Sequence, residues 1–406
     1  MPEAVIVATA RTPIGRANKG SLVNCRPDDL SALAISAVLQ KVEGLDPQSV
    51  EDVIWGCGQP AGEAGYNLGR VAAVLAGLED VPGVTVNRYC SSSLQTIRMA
   101  FHAIKAGEGD IFVAGGVETV SRFLHGASDV GPHNPLFAAS EARTAERGPA
   151  YTTDWTPLAG ELADVYISMG QTAENVAEYA NVSREEMDEF AALSQQRAVA
   201  SQENGFFERE ITPVTTVDAE GNTVFITKDD GPRAGTTAEG LSGLKPVFRE
   251  GGKITAGNAC PLNDGAAAVV VMSDTKAKAL GLTPLARVVS SGVTGLNPEI
   301  MGLGPIEACR QAMARANLSI DDIDLVEINE AFAAQVIPSA KELGISWDKL
   351  NVKGGSIALG HPFGMTGARI MTTLLNALED EGKTYGMESM CVGGGQGMAM
   401  IVERLS

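Results

Sequence analysis

The sequence predicts an α/β protein made of a duplicated strand–helix unit, with a helical lobe inserted in its first half. Three observations carry this reading. Short apolar runs bounded by glycine alternate with segments of helical periodicity, as in layered α/β proteins. The same order of runs returns after residue 277, and a polar, strongly helical stretch separates the two occurrences.

In the first half, "AVIVATA" (4–10), "VEDVIWG" (50–56), "VTVNRYC" (84–90) and "DIFVAGG" (110–116) read as strands. Leu94, Ile97, Phe101 and Ile104 then recur every three or four residues, which is helical spacing, and Gly107 is placed to cap that helix. In the middle region, "MGQTAENVAEYANVSREEMDEFAALSQQRAVASQENG" reads as helical. Ser183 and Glu186 are spaced as a capping box and Gly205 stands where a helix would stop. Its flanks, "HGASDVGPHNPLFAAS" and "KDDGPRAGTTAEGLSGLKPVFREGGK", are rich in glycine, proline and small polar residues. Such a composition suits solvated connectors and also ordered loops over a binding site. The second flank favours a site, because Lys228, Arg233, Lys245, Arg249 and Lys253 are concentrated there in an otherwise acidic chain. In the second half, "LARVVSSGV" (285–293), "IDLVEIN" (323–329), "NVKGGSIALGHPFGMTGARIMTTLLNAL" and "ESMCVGGG" (388–395) repeat strand, strand, glycine-rich turn into helix, and strand. Residues 1–122 with a returning piece, 250–276, are therefore expected to form one half, 123–249 the inserted loop lobe, and 277–406 the other half.

Composition excludes several functions. The 406 residues, 44% of them hydrophobic, can bury a large core. A formal charge of −19 leaves no basic stripe for nucleic acid or an anionic membrane, so an anionic ligand must find local cations. Cys25, Cys57, Cys90, Cys260, Cys309 and Cys391 are widely spaced with no C-x-x-C pair, which speaks against a zinc ribbon or a dithiol redox motif. "MPEAVIVATARTPIG" does not read as a signal peptide and "IVERLS" is not a peroxisomal address. A cytoplasmic setting with free thiols is expected.

Four positions carry chemistry. Cys90 closes a predicted strand and opens a predicted helix, where free N–H groups and the helix dipole favour a thiolate; a buried thiol can also be a small core residue. His361, in "ALGHPFGMTGAR", sits at a glycine-rich strand-to-helix turn where a neutral imidazole could take a thiol proton or serve only structure. Asn329, in "EINEAFAAQ", could cap the following helix. In "CVGGGQG", Cys391 precedes three glycines, which could form a plain turn, a phosphate cradle, or a turn holding backbone N–H groups against a reacting atom. Two cysteines and one histidine on glycine- or serine-rich turns, in matching places of a duplicated fold, favour chemistry. A dinucleotide-binding reading of "GGGQG" fails, since only nine residues follow it, too few for a helix and another strand.

At this point the chain resembles the thiolases over nearly its whole length. The resemblance is carried by "NRYCSSSLQ", "MGQTAENVAE", "ITAGNACPLNDGAAAVV", "NEAFAAQ", "GHPFGMTGAR" and "CVGGGQGMAMIVE". It implies the thiolase fold, a duplicated five-layered α-β-α-β-α architecture with an inserted loop domain. It also implies roles: Cys90 as acyl-accepting nucleophile, His361 as its base, and Cys391 as acid and base at the substrate α-carbon. One oxyanion site would be His361 with a water held by Asn329; the other would be the N–H groups of Cys90 and Gly393. Arg233 would contact the nucleotide part of coenzyme A, with "TAGN" beside the pantetheine arm. Cys260 stands where many relatives carry serine, and Met169 and Met301 match acyl-pocket positions. Coenzyme A would serve as substrate and product, with no other cofactor and no metal, in a homodimer or homotetramer.

Three activities follow. The first is thiolytic cleavage of 3-ketoacyl-CoA or the reverse condensation, with a biosynthetic acetoacetyl-CoA enzyme as its narrower form. The second is a decarboxylating ketosynthase, against which Cys391 speaks, since histidine normally replaces it there. The third is a non-catalytic acyl-CoA or lipid binder, which would not need Cys90, Asn329, His361 and Cys391 together. Ser168 stands where a histidine commonly precedes the loop-lobe methionine of the biosynthetic branch, which favours the degradative, broader-substrate branch and fatty acid β-oxidation.

Overall fold

The structure, a computed structural model, describes residues 2–146, 160–218 and 221–406. Parts of the lobe expected at 123–249, namely 147–159 and 219–220, lie outside the described residues. The strands are β1 (Ala4–Arg11), β2 (Gly15–Arg16), β3 (Asp52–Gly56), β4 (Gly83–Val86), β5 (Ile111–Thr119), β6 (Val214–Val217), β7 (Thr223–Ile226), β8 (Asn263–Ser273), β9 (Ala286–Gly295), β10 (Leu325–Ile328), β11 (Tyr385–Val392) and β12 (Gln396–Arg404).

The duplication is visible in the strand order. One half runs β4-β3-β5-β8-β1 and the other β10-β11-β12-β9. β3 is parallel to β4 and β5, while β5, β8 and β1 are successively antiparallel. The second half repeats this: β10 is parallel to β11, and β11, β12 and β9 are successively antiparallel. A parallel bridge from Val326 to Leu350 stands where β4 stands in the first half. The halves join edge to edge where Val5 pairs with Arg287 and Ile6 with Ala286.

The central strands β5, β8 and β11 are buried on both faces, which is why they read as continuous apolar runs rather than as alternation. Along β8, Ala267, Val269 and Val271 enter one core while Ala266, Ala268, Val270 and Met272 enter another. β12 likewise sends Met398, Met400 and Val402 to the first core and Ala399 and Ile401 to a third. The shared core holds Leu94, Ile97 and Ile104 of the helix Ser92–Ala106 against Ile370, Met371 and Leu374 of the helix Thr366–Asp380. Helix Pro27–Gln40 covers the outer face of the first half and helix Gly304–Ala316 that of the second. The layers are thus helix, sheet, paired central helices, sheet, helix.

Several local readings change. The strand expected over 84–90 ends at Val86, because the Asn87 side chain accepts the Tyr89 N–H at 2.8 Å and Tyr89 turns to φ 41°, breaking the ladder. His361 lies between the short helix Ser356–Leu359 and the helix Thr366–Asp380, not at a strand-to-helix turn. In the inserted lobe, the helices Met169–Tyr179 and Arg184–Glu203 are separated by the Ser183–Glu186 capping box, with both reciprocal bonds made, and Gly205 follows the second in the left-handed region at φ 82°. Arg11 ties the lobe to the sheets. Its guanidinium is fully buried, bidentate to Asp229 at 2.8 and 3.0 Å, and bonded to Glu210 at 2.8 Å. No helix among the described residues is long and apolar enough to cross a membrane.

Candidate active site

Cys90 sits in the single 3-10 turn Tyr89–Ser91 that leads into the helix Ser92–Ala106, and it is 8% exposed. The backbone N–H groups of Gly393 and of Cys90 itself lie close enough to its sulfur to favour the thiolate. Those donors and the helix N-terminus favour a thiolate, as the sequence led us to expect, but burial outweighs them and pushes the thiol up to about 11. The resting group is a neutral thiol. Any attack through it would need a base.

Cys391 is the last but one residue of β11, fully buried, and the three glycines 393–395 form the hairpin to β12. Gly394 and Gly395 take φ of 79° and 82°, which side chains rarely adopt. Gly393 serves differently. It packs beside the Tyr89 ring and the Met169 sulfur, where a Cβ would make ordinary contacts at 3.4 and 3.7 Å, and its N–H lies near the Cys90 sulfur. Burial pushes the Cys391 thiol well up, and the neighbouring Cys90 and Cys260 raise it further. The three thiols therefore share one electrostatic neighbourhood.

His361 is 2% exposed, and burial, with the nearby Arg369 charge, lowers its pKa to about 3, so the imidazole is neutral at physiological pH. Its backbone N–H donates to Asn263 at 3.0 Å, and Gly364 of the same loop donates to Glu118 at 3.0 Å. Its Nδ1 lies 2.7 Å from the Thr366 hydroxyl and its Nε2 3.3 Å from the Asn329 amide nitrogen. Asn329 does not cap the next helix, which starts at Ala333; the side chain is 1% exposed and turned to His361 and Ser356. Glu118, at the buried end of β5, accepts N–H groups from Gly58, Gln59 and Gly364 at 2.8, 3.2 and 3.0 Å. Burial pushes its carboxyl up to about 7 despite these donors.

Beside this centre a groove is lined by Arg16, Arg233, Ala256, Gly257, Pro261 and Ile357, among others. Arg233 and the "TAGN" loop are thus brought together. The wider cationic cluster expected in this flank is not: Arg249 is 6% exposed and bonded to Glu178, Gln171 and Asn175, and Lys253 donates to the Val182 carbonyl at 2.8 Å. Internal polar partners recruit them, leaving Arg233 and Arg16 to face the groove. Cys260, partly exposed, follows the same loop and donates its backbone N–H to Ala331. Met169 opens the helix Met169–Tyr179 against Gly393, whereas Met301 is 1% exposed within the core of the second half. Among the described residues no cluster of three metal-ligating side chains exists.

Sequence reasoning missed Glu118, Asn263, Ser356, Thr366 and Arg369. All but Glu118 lie in or directly beside blocks singled out for their cysteine, histidine or glycines. Glu118 was legible only as a carboxylate inside an apolar strand.

Comparison with known proteins then decides the family. The model described as "Thiolase, N-terminal domain" matches residues 4–275 and that described as "Thiolase, C-terminal domain" matches residues 282–404. The chain belongs to the thiolase family. It is 45% identical over 412 residues to the beta-ketoadipyl-CoA thiolase of Acinetobacter baylyi, and 44% identical over 411 residues to the 3-ketoacyl-CoA thiolase of Aeromonas salmonicida. Both alignments cover all of each chain. The crystal structure of the Bacillus anthracis acetyl-CoA acetyltransferase superposes with a TM-score of 0.85 at 39% identity, covering 100% of this chain and 99% of that one. The protein therefore has the thiolase fold and is an acyltransferase of CoA thioesters.

Proposed function

We propose that this thiolase cleaves 3-ketoacyl-CoA with CoA, releasing acetyl-CoA and a shortened acyl-CoA, and that Cys90, His361, Asn329, Cys391 and Gly393 carry the reaction. The observation that supports this most is the meeting of Cys90 from the first half with Gly393 from the second, N–H to sulfur, beside the Cys391 thiol. His361 takes the Cys90 proton as sulfur attacks the 3-keto carbonyl. The oxyanion that forms is met by backbone N–H groups of Cys90 and Gly393, each such donor contributing roughly 3 kcal/mol in the transition state. Breaking the carbon–carbon bond leaves the acetyl-CoA enolate, which Cys391 protonates at the α-carbon. His361, now carrying a proton on Nε2, and the Asn329 amide face the enolate oxygen. The CoA thiol then gives its proton to the Cys391 thiolate and takes the acyl group from Cys90, whose sulfur recovers its proton from His361. No further cofactor or metal enters these steps.

The groove with Arg233 and Arg16 suits the anionic end of CoA, and Met169 and Tyr89 beside Gly393 suit an apolar acyl chain. With Ser168 as the helix N-cap residue ahead of Met169, this supports the degradative branch, within β-oxidation or the catabolism of a 3-oxo diacid. A cytoplasmic homodimer or homotetramer fits the exposed Tyr66 and Leu124, which lie on turns packed together through Gly62 and His125. The test is thiolysis of 3-ketoacyl-CoA substrates of increasing length, with 3-ketoadipyl-CoA included. Activity on chains longer than acetoacetyl-CoA is expected; activity on the four-carbon substrate alone would assign the enzyme to the biosynthetic branch.

A further inference from the structure

Arg369 lies on the helix Thr366–Asp380, behind His361, and is 1% exposed. Two carboxylates, Glu327 of β10 and Glu388 of β11, are register partners on adjacent strands and lie near its charge. Yet its Nε and Nη1 and both Glu388 oxygens have no hydrogen-bond partner among the described residues. The bond its guanidinium does make runs from Nη2 to the Ser356 hydroxyl, at 3.0 Å.

That bond sets the polarity at one end of the row, because arginine only donates, and the Thr366 bond to the Pro362 carbonyl sets it at the other, because a carbonyl only accepts. Ser356 accepts from Arg369 and donates its one proton to Asn329 Oδ1, 2.6 Å away. With Oδ1 assigned as acceptor, the Asn329 amide N–H₂ faces His361 Nε2. Nε2 must then present a lone pair, which puts the imidazole proton on Nδ1, donating to the Thr366 hydroxyl at 2.7 Å. Thr366 passes its proton to the Pro362 carbonyl at 2.8 Å. The row runs one way from a group that keeps its protons to a carbonyl that has none.

We propose that Arg369 and Ser356 are positioning residues that set the polarity of this row, holding the Asn329 amide with its nitrogen toward the reacting centre and His361 in the Nδ1–H tautomer. This rests on the thiolase reading above and goes beyond it, since neither residue touches the acyl group. A flipped Asn329 would aim its carbonyl at Nε2 and favour a proton there, leaving no base for Cys90.

The experiment is ¹⁵N NMR of the histidine-labelled full-length enzyme, whose four histidines can be assigned by single substitution. In the wild type, the resonances lost on His361→Gln are expected to report a protonated Nδ1 and an unprotonated Nε2. Ser356→Ala should shift them toward the Nε2–H form and slow acetylation of Cys90 by acetyl-CoA about tenfold, with KM for acetyl-CoA within twofold. Ser356→Thr, which keeps the hydroxyl, should restore the tautomer. A wild-type His361 protonated at Nε2 overturns the proposal, as does a Ser356→Ala enzyme with unchanged tautomer and acetylation rate. Acetylation is read separately from thiolysis, so an enzyme that acetylates normally yet cleaves no 3-ketoacyl-CoA would count against the proposed substrate and leave the positioning role standing.

Discussion

At the scale of single residues, the two thiols nearest the reacting point differ in what surrounds them. Cys90 has two N–H donors on its sulfur, while Cys391 has its own N–H and two neighbouring thiols, and burial drives it the further from ionisation. A group so reluctant to ionise is suited to hold a proton and return it to carbon, and the better-solvated sulfur is suited to attack. Acylation of Cys90 by acetyl-CoA needs a nucleophile, a base and an oxyanion site, but no deprotonation at the α-carbon. Cys391→Ala should therefore accumulate a stable acetyl group on Cys90, visible by intact-protein mass spectrometry and peptide mapping, while thiolysis falls by several orders of magnitude. An acetyl group mapped to Cys391 in the wild type, or full thiolysis by Cys391→Ala, would exchange or abolish these roles.

At the scale of elements, the His361 loop hangs between two strand ends: Asn263 at the start of β8 accepts the His361 N–H, and Glu118 at the end of β5 accepts that of Gly364. Because burial raises the Glu118 carboxyl from 4.5 to about 7, the folded state holds that proton more tightly than the unfolded chain does. Its contribution is full below about pH 4.5 and is lost as pH rises through 7. Glu118→Gln removes this dependence while weakening the N–H bonds, so the variant should be the less stable at pH 4.5 to 5. Raising the pH to 8 should narrow or reverse the gap, by up to about 3 kcal/mol. Chemical denaturation across that range measures it, and a gap independent of pH would mean that Glu118 is not held near 7. The same loop shows where sequence stops being legible. The central strands announced themselves because both faces are buried, and Cys90, His361 and Cys391 because glycine and serine surround them. Glu118 acts on a residue 246 positions away, and Ser356 on one 27 positions away, so neither partnership exists until the sheets have stacked. The Cys90 turn was misplaced for a local reason, the Asn87 side chain ending β4 early.

At the scale of the whole molecule, duplication makes the active centre a seam. The first half supplies Cys90, in the turn after β4, and the second Cys391, near the end of β11, and His361, in the loop between two helices, with the inserted lobe laid beside them. The lobe is anchored by the buried Arg11–Asp229 pair, and Arg233 follows that anchor by four residues, its own N–H fixed to Gln195 at 2.8 Å. This gives a protein of charge −19 a fixed cationic point at the groove, where a multiply charged anion such as CoA would otherwise be repelled. That end of the ligand does not change during the reaction, so its contacts are equally strong in ground and transition states. Arg233→Ala should accordingly raise KM for CoA about tenfold with kcat within twofold, and raising ionic strength should weaken wild-type binding more than that of the variant. Dephospho-CoA, which lacks the 3′-phosphate, separates the charge that Arg233 meets: an equal penalty for the substitution with both ligands assigns the contact to the pyrophosphate or the base, and a penalty lost with dephospho-CoA assigns it to the 3′-phosphate. A fall in kcat with KM unaltered would place Arg233 outside the binding groove's function and leave the lobe's cations to a structural role.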